Sequence, residues 1–394
     1  MICDRKICTG CKACYNICPQ SAIKMNTDDE GFWISEINEK LCINCGLCEK
    51  VCPATKKRLK ESNVLKAYAS INKNEDEIFQ SSSGGIFSVL MEEFIKTGNY
   101  VCGCIFDEKL NVIHTITNEK EVAEKMKKSK YVQSDINNTF KTIKEKLLEG
   151  YKVLFSGTPC QVEGLTSYLG QEYDNLYTID IICHGVPSPK MFKEHIKFME
   201  SKYGKLKTLD FRTKSHKDVN TQILSYQFEK KNKKIKNYTL DPYYNAFYNA
   251  LNYRESCYNC KYANCNRMGD ITLGDYWGVE KFHPMMSNKK GVSLILINSE
   301  KGINLFENII KEKVFYEETK INNAKEKNNN LNRPVERKEI RDKLYKDMNK
   351  YGYKYVVKKY LTPKKYWIIK IKSMIPMGIK QRVLNLIKNI KKRT

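Results

Sequence analysis

The chain has 394 residues, 41% of them hydrophobic and 29% charged, with 16 cysteines and a formal net charge of +24. Such a length and balance exclude a disordered chain and leave room for two or three domains, each with an ordinary core. The opening MICDRKICTG lacks the basic and apolar regions of a secretory signal, and no run approaches 18 apolar residues, so a cytoplasmic protein is expected, with its cysteines reduced and read as metal ligands.

Residues 8–19, CTGCKACYNICP, and 42–53, CINCGLCEKVCP, repeat one ladder of the form C-x2-C-x2-C-x3-C-P. This is the run of bacterial two-cluster ferredoxins, in which three thiolates of one loop hold one four-iron cube and the fourth crosses to the other. Cys8, Cys11, Cys14 and Cys52 are therefore assigned to one 4Fe-4S cluster, and Cys42, Cys45, Cys48 and Cys18 to a second, within a domain over 1–60. Structural zinc is the alternative, but zinc takes two close pairs from separate knuckles, and four cysteines in an eleven-residue run overfill that need. Cys3 lies outside the ladder and reads as an ordinary thiol.

From residue 64 to 310 strand-like and helix-like segments alternate. LKAYASI, YVCGCIF, NVIHTIT, KVLFSG and LYTIDIIC read as strands; GIFSVLMEEFIKTG, 119–128, 138–149 and the segments opening at Pro159 and Pro189 read as helices. The series predicts an α/β domain with a mixed or mostly parallel sheet, and residues 206–240 an antiparallel insertion. Cys102 and Cys104 share one strand face and read as core. Three connections could carry chemistry. SSSGG at 81–85 opens a helix and is either a cap or a phosphate cradle. SGTPCQ at 156–161 and DIICHGVPSP at 180–189 end strands at the carboxyl edge of the sheet, where α/β proteins bind ligands. Cys160 is a ligand, a reactive thiol or a buried residue, and His184 reads as scaffold. Cys257, Cys260 and Cys265, as C-x2-C-x4-C, need a fourth ligand, for which Cys183 is the first candidate and Cys160 the next; a third 4Fe-4S cluster or structural zinc would serve.

Residues 311–394 read as a charged helical extension, and 348–394 hold 14 Lys/Arg and no Asp or Glu. Ile379, Val383, Leu386, Ile387 and Ile390 fall at helical spacing among lysines, as in a basic amphipathic helix on an anionic membrane surface or packed on a protein neighbour. The tail suggests a protein peripheral to the inner face of the membrane. No nucleic-acid-binding motif is present, and no nucleic-acid partner is expected.

The segments SSSGGIFSVL, KKSKYVQS, FSGTPCQVEGL, DIICHGVPSP and CYNCKYANCNRMGDITLGDYWG together resemble the coenzyme F-420 hydrogenase/dehydrogenase beta-subunit family, itself similar to 7-hydroxymethyl chlorophyll reductase. The resemblance spans about residues 64–310. It implies an FAD-dependent iron–sulfur oxidoreductase of α/β class (α+β overall): a small ferredoxin domain, a mixed-sheet flavin domain and a basic helical tail. By that resemblance Ser83, Gly84 and Gly85 cradle the flavin diphosphate. Lys130, Tyr131, Thr158 and Gln161 line the flavin pocket, Lys130 and Cys160 being the catalytic candidates, and Cys257, Cys260 and Cys265 hold a proximal cluster. Electrons then pass between a ferredoxin or another redox protein, the clusters and FAD. The flavin exchanges hydride with a small molecule, either a deazaflavin coenzyme or a substrate of a cell-surface polysaccharide pathway. An electron-transfer subunit without its own substrate site, and a zinc scaffold, are the competing expectations.

Overall fold

The computed structural model describes residues 2–55, 64–215, 218–235, 237–286 and 290–374. The amphipathic tail helix expected over 379–390 lies outside the described residues.

Each cysteine ladder wraps into a loop ending in a short helix, α1 (Ala13–Ile17) and α2 (Leu47–Lys50), with the hairpin β1 (Ile23–Thr27) and β2 (Trp33–Ile37) between them. Both ladders turn through the left-handed region at the same two places: Gly10 (φ 68°) and Lys12 (φ 60°) in the first, Asn44 (φ 53°) and Gly46 (φ 68°) in the second. Gly and Asn tolerate that region and a lysine does not. Lys12 is held there by an ion pair with Asp135 and by the face of Trp33, 4.7 Å from its ammonium.

The large domain carries an eight-stranded sheet of order β13-β3-β12-β11-β7-β6-β4-β5. Its members are β3 (Lys66–Asn72), β4 (Tyr100–Phe106), β5 (Val112–Thr117), β6 (Val153–Gly157), β7 (Leu176–Ile181), β11 (Ile271–Asp275), β12 (Ser293–Ile297) and β13 (Val314–Glu318). The central four, β4, β6, β7 and β11, run parallel; β5 on one side and β12, β3 and β13 on the other are antiparallel to their neighbours. The sheet is mixed, and this is an α/β fold. Helices α3 (Glu75–Phe79), α4 (Ile86–Lys96), α5 (Lys120–Glu124), α6 (Thr139–Leu148), α7 (Pro159–Leu169) and α8 (Pro189–Tyr203) occupy the crossovers. Strands β8 (Leu206–Ser215), β9 (Asp218–Phe228) and β10 (Asn232–Ile235) form the separate antiparallel sheet expected of the insertion, followed by α9 (Pro242–Tyr248).

The boundary expected at 310 does not coincide with a break in the structure. β13 pairs along β3 from Val314 to Glu318, and α13 (Ile340–Tyr351) buries Leu344, Tyr345 and Met348 in the core shared by α8, β8, β9 and α9. Four short helices complete the order, α10 (Val279–Phe282), α11 (Glu300–Leu305), α12 (Ile321–Lys325) and α14 (Tyr353–Val356), before α15 (Tyr366–Met374), which leaves Trp367, Ile368 and Ile371 exposed. Among the described residues no helix is long and apolar enough to cross a membrane.

Two fully buried arginines pin the N-terminal domain to the large one. Arg254 donates to the carbonyls of Cys8 (2.6 Å) and Trp33 (2.8 Å) and to Gln133 Oε1 (3.3 Å). Arg341 forks onto Glu30 at 2.6 and 2.9 Å and reaches the Tyr253 carbonyl.

Candidate functional site

Thiols and polar side chains gather around four cavities, the second, third and fourth of which share walls in turn. The outermost is lined by Cys18, Cys42, Cys45 and Cys48, with Ile37, Ile43 and Leu47 beside them. The next is lined by Cys8, Cys11, Cys14 and Cys52, together with Cys3, which had read as an ordinary thiol. Thus each ladder supplies three sulfurs to its own cavity and one to the other, because the turn before Pro19 or Pro53 carries the fourth cysteine across.

Thr9 and Ala54 also line a third cavity, of about 140 Å³, into which Cys160, Cys183, Cys257 and Cys260 converge from three different places. Cys160 stands in the first turn of α7, where Pro159 and the reciprocal cap between Thr158 and Gln161 fix the helix start. Cys183 follows β7, and Cys257 and Cys260 sit on a 3₁₀ turn that ends at Cys260. Burial pushes the Cys160 and Cys257 thiols up to about 12 and drives Cys183 up as well, so the bare thiols are neutral at pH 7 and only a nearby cation would hold them as thiolates.

Cys265 is not among them, a correction to the ligand set expected from spacing. Buried Arg267 binds the carbonyls of Tyr262 (3.0 Å), Asn264 (3.1 Å) and Ile181 (2.9 Å) and the Asp180 carboxylate (3.0 Å), tying the segment beyond Cys260 to the end of β7. The Cys265 sulfur then faces the Leu331 carbonyl, 3.4 Å away, and packs against a separate apolar cluster. The fourth thiol is Cys160 instead, which also corrects its expected place at the flavin: it lines the thiol cavity and not the large cleft.

That cleft, about 290 Å³, opens at the carboxyl ends of β6, β7 and β11 and shares Thr158, Cys183, His184, Gly185 and Val186 with the thiol cavity. Ser81, Ser82, Ser83 and Gly85 border one end, at the N-terminus of α4. Gly85 takes φ +84°, which a side chain would strain. Gly84 does not reach the cleft: its N–H is taken by Ser293 Oγ (2.9 Å), and a Cβ there would meet the Ser70 carbonyl at 2.5 Å, so it serves strand contact and not ligand contact. Ser83 lines the cleft with its hydroxyl committed to the Val292 carbonyl, 3.0 Å away. Nearby, buried Lys214 donates to the Ile78 and Ser83 carbonyls, and burial pulls its pKa down to about 7.

Lys130 lines the cleft, but its ammonium is spent on the carbonyls of Lys127 (2.9 Å), Lys128 (3.3 Å) and Met126 (3.4 Å). Burial lowers its pKa. It shapes a wall, and the catalytic role expected of it is not what this geometry offers. Tyr131 sits among Phe211, Tyr244 and Phe247. Thr158 and Gln161 border the cleft as the cap of α7, Gln161 donating onward to Ser134 Oγ at 2.9 Å.

Lining residues that sequence reading missed are His114, Arg212, Asp275 and Trp277, as well as Cys104, expected in the core. Arg212 and Asp275 form a buried ion pair, Nη2 to Oδ1 at 3.2 Å. His114 Nε2 lies 3.2 Å from the Ser156 carbonyl, while its Nδ1 is buried without a partner. Asp275 and Trp277 stand in the LGDYWG stretch already noted as a motif, a signal available in the sequence; nothing marks a lone His in strand β5.

Residues 7–56 match the 4Fe-4S dicluster domain, and residues 150–323 match the C terminus of the beta subunit of coenzyme F420 hydrogenase/dehydrogenase. The chain thus carries a match to an iron–sulfur domain followed by a match to a redox subunit, and the region matched to the beta subunit supplies all four sulfurs of the third cavity. A chain of the xenon-derivatised F420-reducing NiFe hydrogenase complex from Methanosarcina barkeri is similar at 13% identity over 77% of this chain and 95% of that one, with a TM-score of 0.44. No curated protein matches the chain.

Proposed function

We propose that this protein is an iron–sulfur flavoprotein oxidoreductase, in which three four-iron clusters connect an external electron carrier to FAD in the large cleft. The observation that carries the proposal is the shared wall: Cys183 lines both the third thiol cavity and the cleft. When bound, the clusters supply single-electron transfer, and FAD exchanges hydride with an organic molecule and single electrons with a cluster.

The donor sets fit these groups. Among the described residues no three His, Cys, Asp or Glu side chains converge as one ion would require. The thiols instead stand around cavities, a spacing that suits a four-iron cube and argues against zinc. At the outer cavity Cys45 is exposed, and Leu41 and Ile43 are 50% and 60% exposed, an apolar rim for a ferredoxin-like partner. In the cleft the Ser81–Gly85 loop would hold the flavin diphosphate beside Lys127 and Lys128, with Gly85 giving the backbone its approach. Burial keeps His184 neutral, so the wall between cavity and cleft carries no titrating imidazole at neutral pH. On the open side, exposed Ile181 and Trp277 leave a small organic substrate room to enter, which favours an enzyme over a subunit with no substrate site of its own. The family name suggests a deazaflavin coenzyme as substrate, and a substrate of a cell-surface polysaccharide pathway is the other class.

Anaerobic purification followed by iron, sulfide and flavin analysis tests the reading, with about twelve irons per chain and one FAD expected. Cys183→Ala is expected to leave about eight irons and the flavin while slowing flavin bleaching by reduced ferredoxin. Zinc in place of iron, or bleaching as fast as in the parent, would overturn it.

A further inference from the structure

We infer that Cys3 is a reserve ligand of the first cube, able to take over the iron that Cys52 holds. The inference rests on the assignment of Cys8, Cys11, Cys14 and Cys52 to that cube and extends it to a fifth sulfur.

Cys3 lines the same cavity as those four, and its sulfur is within hydrogen-bonding reach of both the Cys52 and the Cys8 sulfurs. Its position is built. A turn in which the N–H groups of Ile7 and Cys8 donate to the Asp4 carbonyl, at 3.1 and 2.9 Å, brings the preceding residues back over the cavity. Arg5 then fastens this turn to the hairpin between β1 and β2 through Asp28 (2.7 Å) and Glu30 (3.1 Å). Cys52 is the one ligand of the first cube that comes from the distant ladder, so it is the one most exposed to loss when the second ladder opens. Exchange needs no oxidant or reductant: the iron–sulfur bond to Cys52 breaks, one to Cys3 forms, and the proton leaving the Cys3 thiol passes to the departing Cys52 sulfur.

The test uses full-length protein purified without oxygen, as Cys3→Ala, Cys52→Ala and the double variant, alanine being chosen because a serine oxygen could itself bind iron. Iron per chain and electron paramagnetic resonance of reduced and oxidised samples are the readouts. Cys3→Ala should match the parent in iron content. Cys52→Ala should keep all its irons with an altered spectrum of the reduced first cube, and the double variant should lose the first cube or retain only a three-iron form seen in the oxidised sample. A three-iron form or a loss of about four irons already in Cys52→Ala overturns the inference while leaving the ligand assignment intact. A Cys52→Ala spectrum identical to the parent's overturns both, because Cys52 would then be no ligand. Should Cys52→Ala not fold, Cys52→Gly beside Cys3→Ala/Cys52→Gly gives the same comparison: a whole cube in Cys52→Gly that is lost in the double variant supports Cys3, and a cube lost in Cys52→Gly alone rejects it.

Discussion

His114 shows how one side chain in the cleft couples to stability. Its ring stacks on Phe155 at 5.6 Å, its Nε2–H faces the Ser156 carbonyl, and burial pulls its pKa from 6.5 to about 4, with Asp135 and Lys130 as its charged neighbours. The folded state refuses a proton that the unfolded chain accepts, so the contribution is full above pH 6.5 and is lost as pH falls toward 4; a shift of that size corresponds to about 3 kcal/mol. His114→Gln keeps an N–H for Ser156 and cannot titrate. Urea unfolding of this variant should therefore weaken less between pH 7 and pH 5 than that of the parent, and equal slopes would remove His114 as the cause. Single residues differed sharply in how legible they were. The ladder cysteines declare themselves because their chemistry is local, within eleven residues. Cys160 and Cys257 lie 97 positions apart and meet only through the sheet, so spacing pointed to Cys265, which Arg267 turns away.

At the scale of elements, α7 joins the two redox regions. Its first turn carries Cys160, and Gly164, one turn on, lies against Cys11 of the ladder: a Cβ there would stand 2.9 Å from the Cys11 Cβ and 3.0 Å from its sulfur. Alanine in a helix gains up to about 1 kcal/mol over glycine, whereas forcing a methyl into a filled space costs roughly 1–3 kcal/mol. Packing wins that comparison, more so for a larger side chain. Gly164→Val is thus expected to destabilise the protein and lower the iron content of the first cube, and a variant with unchanged melting and iron would show that helix and ladder can separate. The start of α7 was readable because Thr158, Pro159 and Gln161 are a helix-start signature. β13 was not, and of α13 only its helical, charged character was legible, not its buried face. In β13 only Val314 is fully buried, and α13 reads as charged because its inward face includes Arg341, whose guanidinium is neutralised by Glu30 from another domain. A periodicity built on apolar residues cannot register a buried arginine.

Across the whole molecule, the cavities lie in series only if the N-terminal domain stays seated, and Arg254 is the fastening nearest the seam. It reaches the backbone of both ladder loop and hairpin, and it also lines the third cavity. Arg254→Met preserves volume but leaves two carbonyls and Gln133 Oε1 without their donor, at about 1–3 kcal/mol for each buried acceptor left unmet. Two of the three lost bonds, to Cys8 and Trp33, cross the contact between domains, and the third, to Gln133, lies within the large one, so the loss falls mainly on the contact. The expected result is that about eight irons of the first two clusters remain, flavin bleaching through the ferredoxin domain slows, and a single melting transition splits into two. Arg254→Lys, which retains the charge but can satisfy fewer acceptors, should fall between. If the methionine variant melts in one step and bleaches at the parent's rate, seating does not depend on this arginine, and the fork of Arg341 onto Glu30 suffices to hold the relay in line.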